Sequence, residues 1–285
     1  MARTRELSLV FAETHPGDAA RVLEHLPIDD ATAFLKLLPV RLGAPVLRHM
    51  LPTTAAHCLE QLDDETAAGL VRDFDAQTGS AILRYVRQPQ REQLIAQLPT
   101  AAALAFRLLL TYPEDTVGAW INPHCVAVTP ETPVSEALER LRQSPESAGT
   151  YMYVVDADRR LQGMAALTDL LRAGRGTTVA QTMRPARHHL SARASLAAAH
   201  AHKGWQEYHA LPVLERQARF IGALEFAVLH RAIEQPHQDN AVPAPGDSLS
   251  LLAHSSWQVF ANLLQALITL LPVARPLAED KHEEP

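Results

Sequence analysis

From residue 7 to about residue 111 the apolar positions fall at i, i+3 and i+4: Val22, Leu23 and Leu26, then Phe34, Leu35 and Leu38, then Val46, Leu47 and Met50. That is the period of helices with one buried stripe. Leu-Pro recurs at Leu26-Pro27, Leu38-Pro39, Leu51-Pro52 and Leu98-Pro99. Proline disfavours the helical conformation in the residue before it, so each pair ends one helix and resets the next. The spacing predicts a run of short helices, compatible with a compact superhelix or a small bundle.

After Trp120 the period shortens. The pattern predicts strands at His124–Val128, Tyr151–Val155 and Gln162–Ala166, with helices at Val134–Arg142 and Thr168–Arg172. The same order then returns: strand Arg187–Leu190, helix Ser195–Lys203, strands Ala210–Leu214 and Phe220–Leu224, and helix Phe226–Ile233. Two β-α-β-β-α units of about 60 residues point to an internal duplication whose half-sheets bury apolar faces against each other.

Composition narrows the function. The chain has 285 residues, 47% of them hydrophobic, enough for two domains with real cores. A net charge of -6 with Arg spread along the chain argues against a nucleic-acid partner, which needs clustered Lys and Arg. Cys58 and Cys125 stand far apart, without the spacing of a zinc site or a disulfide framework. The N-terminus lacks the apolar run of a secretory signal, so the expectation is cytoplasmic. No GxSxG, P-loop, GxGxxG or HExxH occurs, which leaves binding or regulation rather than enzymatic chemistry.

The segments YMYVVDADRRLQGMAALTDLL and YHALPVLERQARFIGALEFAVL each resemble the second half of a CBS domain, and TVAQTMRP resembles the linker that opens a second one. YPEDTVGAWINPHCVAV resembles the junction of MgtE-type magnesium transporters, where a helical superhelix meets a CBS pair. The resemblance implies an α+β multidomain chain. Residues 1–111 would be an all-α superhelix of short helices, 112–180 and 181–235 a tandem CBS pair, and 236–247 a Pro-rich linker. An amphipathic helix at 248–274 and a disordered acidic tail at 275–285 would follow. It also implies a cytosolic magnesium-sensing or gating module without the channel, with Glu114 and Asp115 at the hinge.

In that family, carboxylates of the superhelix and the CBS pair share Mg2+, an ion that keeps waters and needs few protein oxygens. The positions carried over are Asp63, Asp156, Glu207, Glu215 and Glu225. Ala67 replaces the second carboxylate of the Asp63 pair, and Glu225 alone remains of an Asp-rich helix start, so weaker or fewer Mg2+ sites are expected. The resemblance also implies an adenine nucleotide, with Asp169 on the ribose and Tyr151 or Tyr208 against the base. Val228 stands where the second repeat would carry its Asp, so at most one nucleotide site is expected. Carboxylates at turns and helix starts also serve as caps, and a tyrosine at such a position also serves as core.

His188, His189, His200, His202 and His209 crowd the second repeat in no recognised ligand spacing. The tail segment Trp257–Val273 carries a polar stripe, Gln258, Asn262, Gln265 and Thr269, opposite Phe260, Leu263, Leu264, Leu267 and Leu271. That favours a helix docked on protein over a lone membrane span. The expected partners are a second copy through the CBS pair and a membrane transporter through this helix. The alternative is an adenine-nucleotide-sensing CBS adaptor or protein-interaction module with a vestigial metal response.

Overall fold

The computed structural model describes residues 2–144, 150–174 and 176–234; the expected tail helix and its linker lie outside them. Two compact units divide after Leu51, inside the helical region.

The first unit holds helices α1 (Ala2–Thr14), α2 (Pro16–Glu24), α3 (Ile28–Leu37) and α4 (Val40–His49). Pro27 and Pro39 take the N-cap positions of α3 and α4 with φ near the value their rings impose, -53° and -56°. Leu38, the residue before Pro39, leaves the helix in an extended conformation, with ψ 135°. The Leu-Pro pairs therefore act as the sequence implies. Ala20, Leu23, Ala31, Leu35, Val46 and Leu47 turn inward with at most 2% exposure.

The second unit begins with α5 (Pro52–Gln61), α6 (Asp64–Arg72), α7 (Ala76–Leu83), α8 (Gln90–Ala96) and α9 (Thr100–Leu110). Asp63 and Asp75 cap α6 and α7, each accepting the backbone N–H three residues on, at 2.9 and 2.8 Å. Two small sheets follow. In the first, β1 (Ala127–Val128) pairs parallel with β2 (Tyr151–Val155), which pairs antiparallel with β3 (Leu161–Ala166), which pairs antiparallel with β4 (Arg184–Pro185). Helices α10 (Val134–Arg142) and α11 (Leu167–Arg172) cover it. In the second, β5 (Leu190–Ser191) pairs parallel with β6 (Ala210–Leu214), which pairs antiparallel with β7 (Phe220–Glu225), with α12 (Leu196–His200) and α13 (Phe226–Glu234) alongside.

The duplication extends to its irregularities. A register shift falls at Val154/Val155 in the first hairpin and at Val213/Leu214 in the second. The described residues with positive φ other than glycine, Arg159, Gln217 and Ala218, all lie in the two hairpin turns, where a left-handed backbone costs a side-chain-bearing residue about 1 kcal/mol. Three expectations shift. The strand expected at His124–Val128 is confined to Ala127–Val128, the two residues that pair with β2. The strand expected at Arg187–Leu190 begins only at Leu190, because Arg184–Pro185 are spent closing the edge of the first sheet. The helix expected through Lys203 ends at His200, and a separate 3-10 turn, Lys203–Gln206, is capped by His202, whose Nδ1 accepts the Gly204 N–H at 3.0 Å.

The cores differ between the repeats. That of the first repeat is its own: Val128, Ala137, Met152, Val154, Ala165, Leu170 and Val179. That of the second also takes in Leu109, Tyr112, Val117 and Ile121 from the end of the helices and the junction. The facing sheets close a third cluster around Tyr153, whose ring stacks on Phe220 at 4.7 Å.

Candidate functional site

Tyr151 opens β2 opposite Ala166, the last residue of β3, and Asp169 sits three residues further on in α11. The register of one hairpin thus places both at one end of the first sheet. The Tyr151 ring meets Tyr208 edge-on at 5.7 Å, and Tyr208 lies 6.1 Å from His188. Burial first, then the neighbouring Tyr208, pushes the Tyr151 phenol upward. Asp169 is paired with Arg184 of β4 at 3.1 Å. Sequence reasoning missed Arg184, because the pair arises from the pairing of β3 with β4 and leaves no local spacing to read.

Behind Tyr151 lies a cavity of about 20 Å³ lined by Asn122, Cys125, Tyr153 and Glu225 among others, room for roughly one water. It is too small to enclose a nucleotide. Burial pushes the Cys125 thiol up to about 12, so it stays protonated and unreactive at neutral pH. Glu225 occupies the last position of β7, opposite Ala210. In the second repeat the position matching Asp169 is Val228, third in its helix as Asp169 is in α11, and Val228 is 7% exposed within the core.

The structure gives most of the candidate metal carboxylates other partners. Asp63 is the α6 cap. Ala67, one turn on, is fully buried, so the position where the family resemblance expects a second carboxylate faces the interior. Asp156 folds back into its own turn: one oxygen accepts from the backbone of Asp158 and Arg160, at 3.0 and 2.8 Å, and the other accepts from Gln162 at 3.1 Å. Glu215 accepts the Tyr112 hydroxyl at 2.9 Å. Glu207 lies 3.9 Å from His188. Among the described residues no three His, Cys, Asp or Glu side chains converge as a metal site, so these residues do not form a closed Mg2+ cage.

The acidic junction is bonded on both sides. Glu114 accepts from the Tyr85 hydroxyl at 3.2 Å, and its carbonyl accepts from the Trp120 indole at 2.7 Å. The Asp115 carbonyl accepts from Leu196, while Val117 and Gly118 donate to Ala194 and Ala192. Asn122 and Ala223 exchange both backbone bonds. Gly118 is required here: a Cβ would stand 2.4 Å from the Tyr112 ring. These contacts fasten the stretch containing Glu114 and Asp115 to the second repeat.

Comparison with known proteins fits this architecture. The MgtE intracellular N domain model matches residues 14–115 and the CBS domain model residues 117–176. The magnesium transporter MgtE of Thermus thermophilus is 32% identical over 300 residues, covering 96% of this chain and 67% of that protein. The crystal structure of the cytosolic domain of the Mg2+ channel MgtE in complex with ATP superposes with a TM-score of 0.70 at 27% identity, covering 80% of this chain and 94% of that one. The soluble part of a magnesium transporter shares the fold, with a TM-score of 0.58 at 18% identity over 82% of this chain and 98% of that one. Among the described residues no helix is long and apolar enough to cross a membrane.

Proposed function

This chain belongs to the MgtE family of magnesium transporters, and on that premise we propose that it supplies the cytosolic regulatory part of such a transporter. In this reading it binds one adenine nucleotide in its first CBS repeat and responds to Mg2+. The observation that carries the nucleotide half is the grouping of Tyr151, Tyr208 and Asp169 at one end of the paired repeats. An aromatic face suits a base and a carboxylate at a helix start suits ribose hydroxyls. A relative of this fold was crystallised with ATP.

The Mg2+ half rests on exposed carboxylates rather than on a cage. Asp63, Glu207 and Glu225 are exposed, and Glu207 and Glu225 can each lend one or two oxygens to an ion that keeps its waters and shares a second surface. Asp63, Asp156 and Glu215 join only by giving up bonds they hold, so the response is weak. The functional boundaries are 1–111 for the helical region, 112–180 and 181–235 for the CBS domains, and 236–247 for the linker. In the same reading the chain works at the cytoplasmic face as a homodimer through the CBS pair, and 248–274 docks on a membrane partner. Inward-facing Ala67 and the bonded Asp156 favour the second reading, a nucleotide-sensing CBS adaptor with a vestigial metal response.

Small-angle scattering with and without millimolar Mg2+, paired with calorimetric titration of Mg2+, ATP and AMP, separates the two. Compaction by Mg2+ supports the regulatory reading. Superimposable curves with nucleotide binding intact support the adaptor, and no binding of either ligand removes both.

A further inference from the structure

The arginines that are scattered in sequence do not stay scattered. The turns of the two hairpins meet at the end opposite Tyr151, five strand residues away, or roughly 15 Å. There Arg160 and Arg219 face each other in an antiparallel bridge, and the Phe220 N–H donates to the Arg159 carbonyl at 2.8 Å. Arg216 belongs to the second of these turns. All four arginines are exposed, and none forms an ion pair within the described residues. Of the acidic residues in the turns, Asp156 is bonded within its own turn and Glu215 to Tyr112, while Asp158 is exposed.

Like charges set directly opposite each other across a strand pair destabilise it. A fold that places Arg160 against Arg219 with no ion pair to either among the described residues gains from an external anion that bridges the two. Guanidinium forks match phosphate oxygens in geometry and charge. We propose that this face, formed only where the two repeats meet, binds phosphate oxyanions presented several at a time, by a soluble oligophosphate or by the headgroups of an anionic membrane. It lies at the other end of the strands from Tyr151 and does not rest on the nucleotide reading.

The test uses the full chain without Mg2+. Binding is measured to tripolyphosphate by calorimetry, and by co-sedimentation to vesicles of phosphatidylcholine alone or mixed with an equal part of phosphatidylglycerol. The cluster variant Arg160→Gln/Arg219→Gln is compared with Arg72→Gln/Arg231→Gln, which removes the same charge elsewhere. The parent protein should bind at least one anionic probe in a salt-dependent way, the cluster variant about tenfold or more weaker, and the control as the parent does. Binding to the mixed vesicles alone assigns the membrane source, and binding to tripolyphosphate assigns the soluble one. At low salt with no anion added, Arg219→Gln should raise Tm by relieving the opposition. Failure of the parent to bind either probe, or equal binding by the cluster and control variants, overturns the site.

Discussion

The two CBS repeats share a backbone down to the position of a register shift, yet they differ in how their cores and helix starts are built. The first keeps a core of its own and an ionisable helix start, Asp169 with Arg184. The second has put Val228 at the same step and merged its core with Leu109, Tyr112 and Val117 of the junction. One copy of a duplicated fold can stay open to a ligand when the other becomes the anchor that holds the assembly. Single substitutions can reverse or sharpen that division.

The largest effect belongs to Val228→Asp, which copies the first repeat's residue into the second. With Val228 buried in the shared core, an unpaired carboxylate there should cost about 3 kcal/mol or more, read as a lower midpoint in urea. A variant as stable as the parent would mean that the second repeat is still an open site. Gly118→Ala comes next. Its Cβ would meet the Tyr112 ring at 2.4 Å, and overpacking of this kind costs about 2 kcal/mol. Unchanged stability would show that the junction yields and does not anchor.

Tyr112→Phe is the gentlest probe, removing one hydrogen bond to Glu215 worth about 1 kcal/mol. It also carries a pH signature. Burial first, then the Glu215 carboxylate, pushes the Tyr112 phenol from 10.0 up to about 12. Because the folded value is the higher one, this contribution is whole below pH 10 and is lost as pH rises through about 12. The difference in urea midpoint between parent and variant should narrow over that window. A constant difference across it would contradict the anchoring bond.

Much of this architecture was legible in the chain. Tyr151–Val155, Ala210–Leu214 and Val134–Arg142 have the bounds their patterns predict, because the two strands are short continuous apolar runs buried almost throughout and the helix repeats its apolar positions locally. The Leu-Pro pairs were equally readable, since proline acts on its immediate neighbours. What escaped is set by register and by packing over long sequence distances. No local pattern shows that β4 closes the first sheet and brings Arg184 to Asp169. Nor does one show that Arg160 and Arg219, dispersed in composition, end up face to face. The Tyr112–Glu215 bond likewise joins residues in different elements that only the folded junction brings together.

The central claim is that the first repeat alone carries a nucleotide site. Calorimetric titration of the full chain with ATP, on the parent and on Asp169→Ala, tests it most directly. Asp169 is a partly exposed residue whose ion pair adds little to stability, so the variant should keep its fold and its Tm. The account predicts one nucleotide per chain for the parent and affinity weakened about tenfold or more for the variant. Two nucleotides per chain, none, or equal affinity in parent and variant would contradict it.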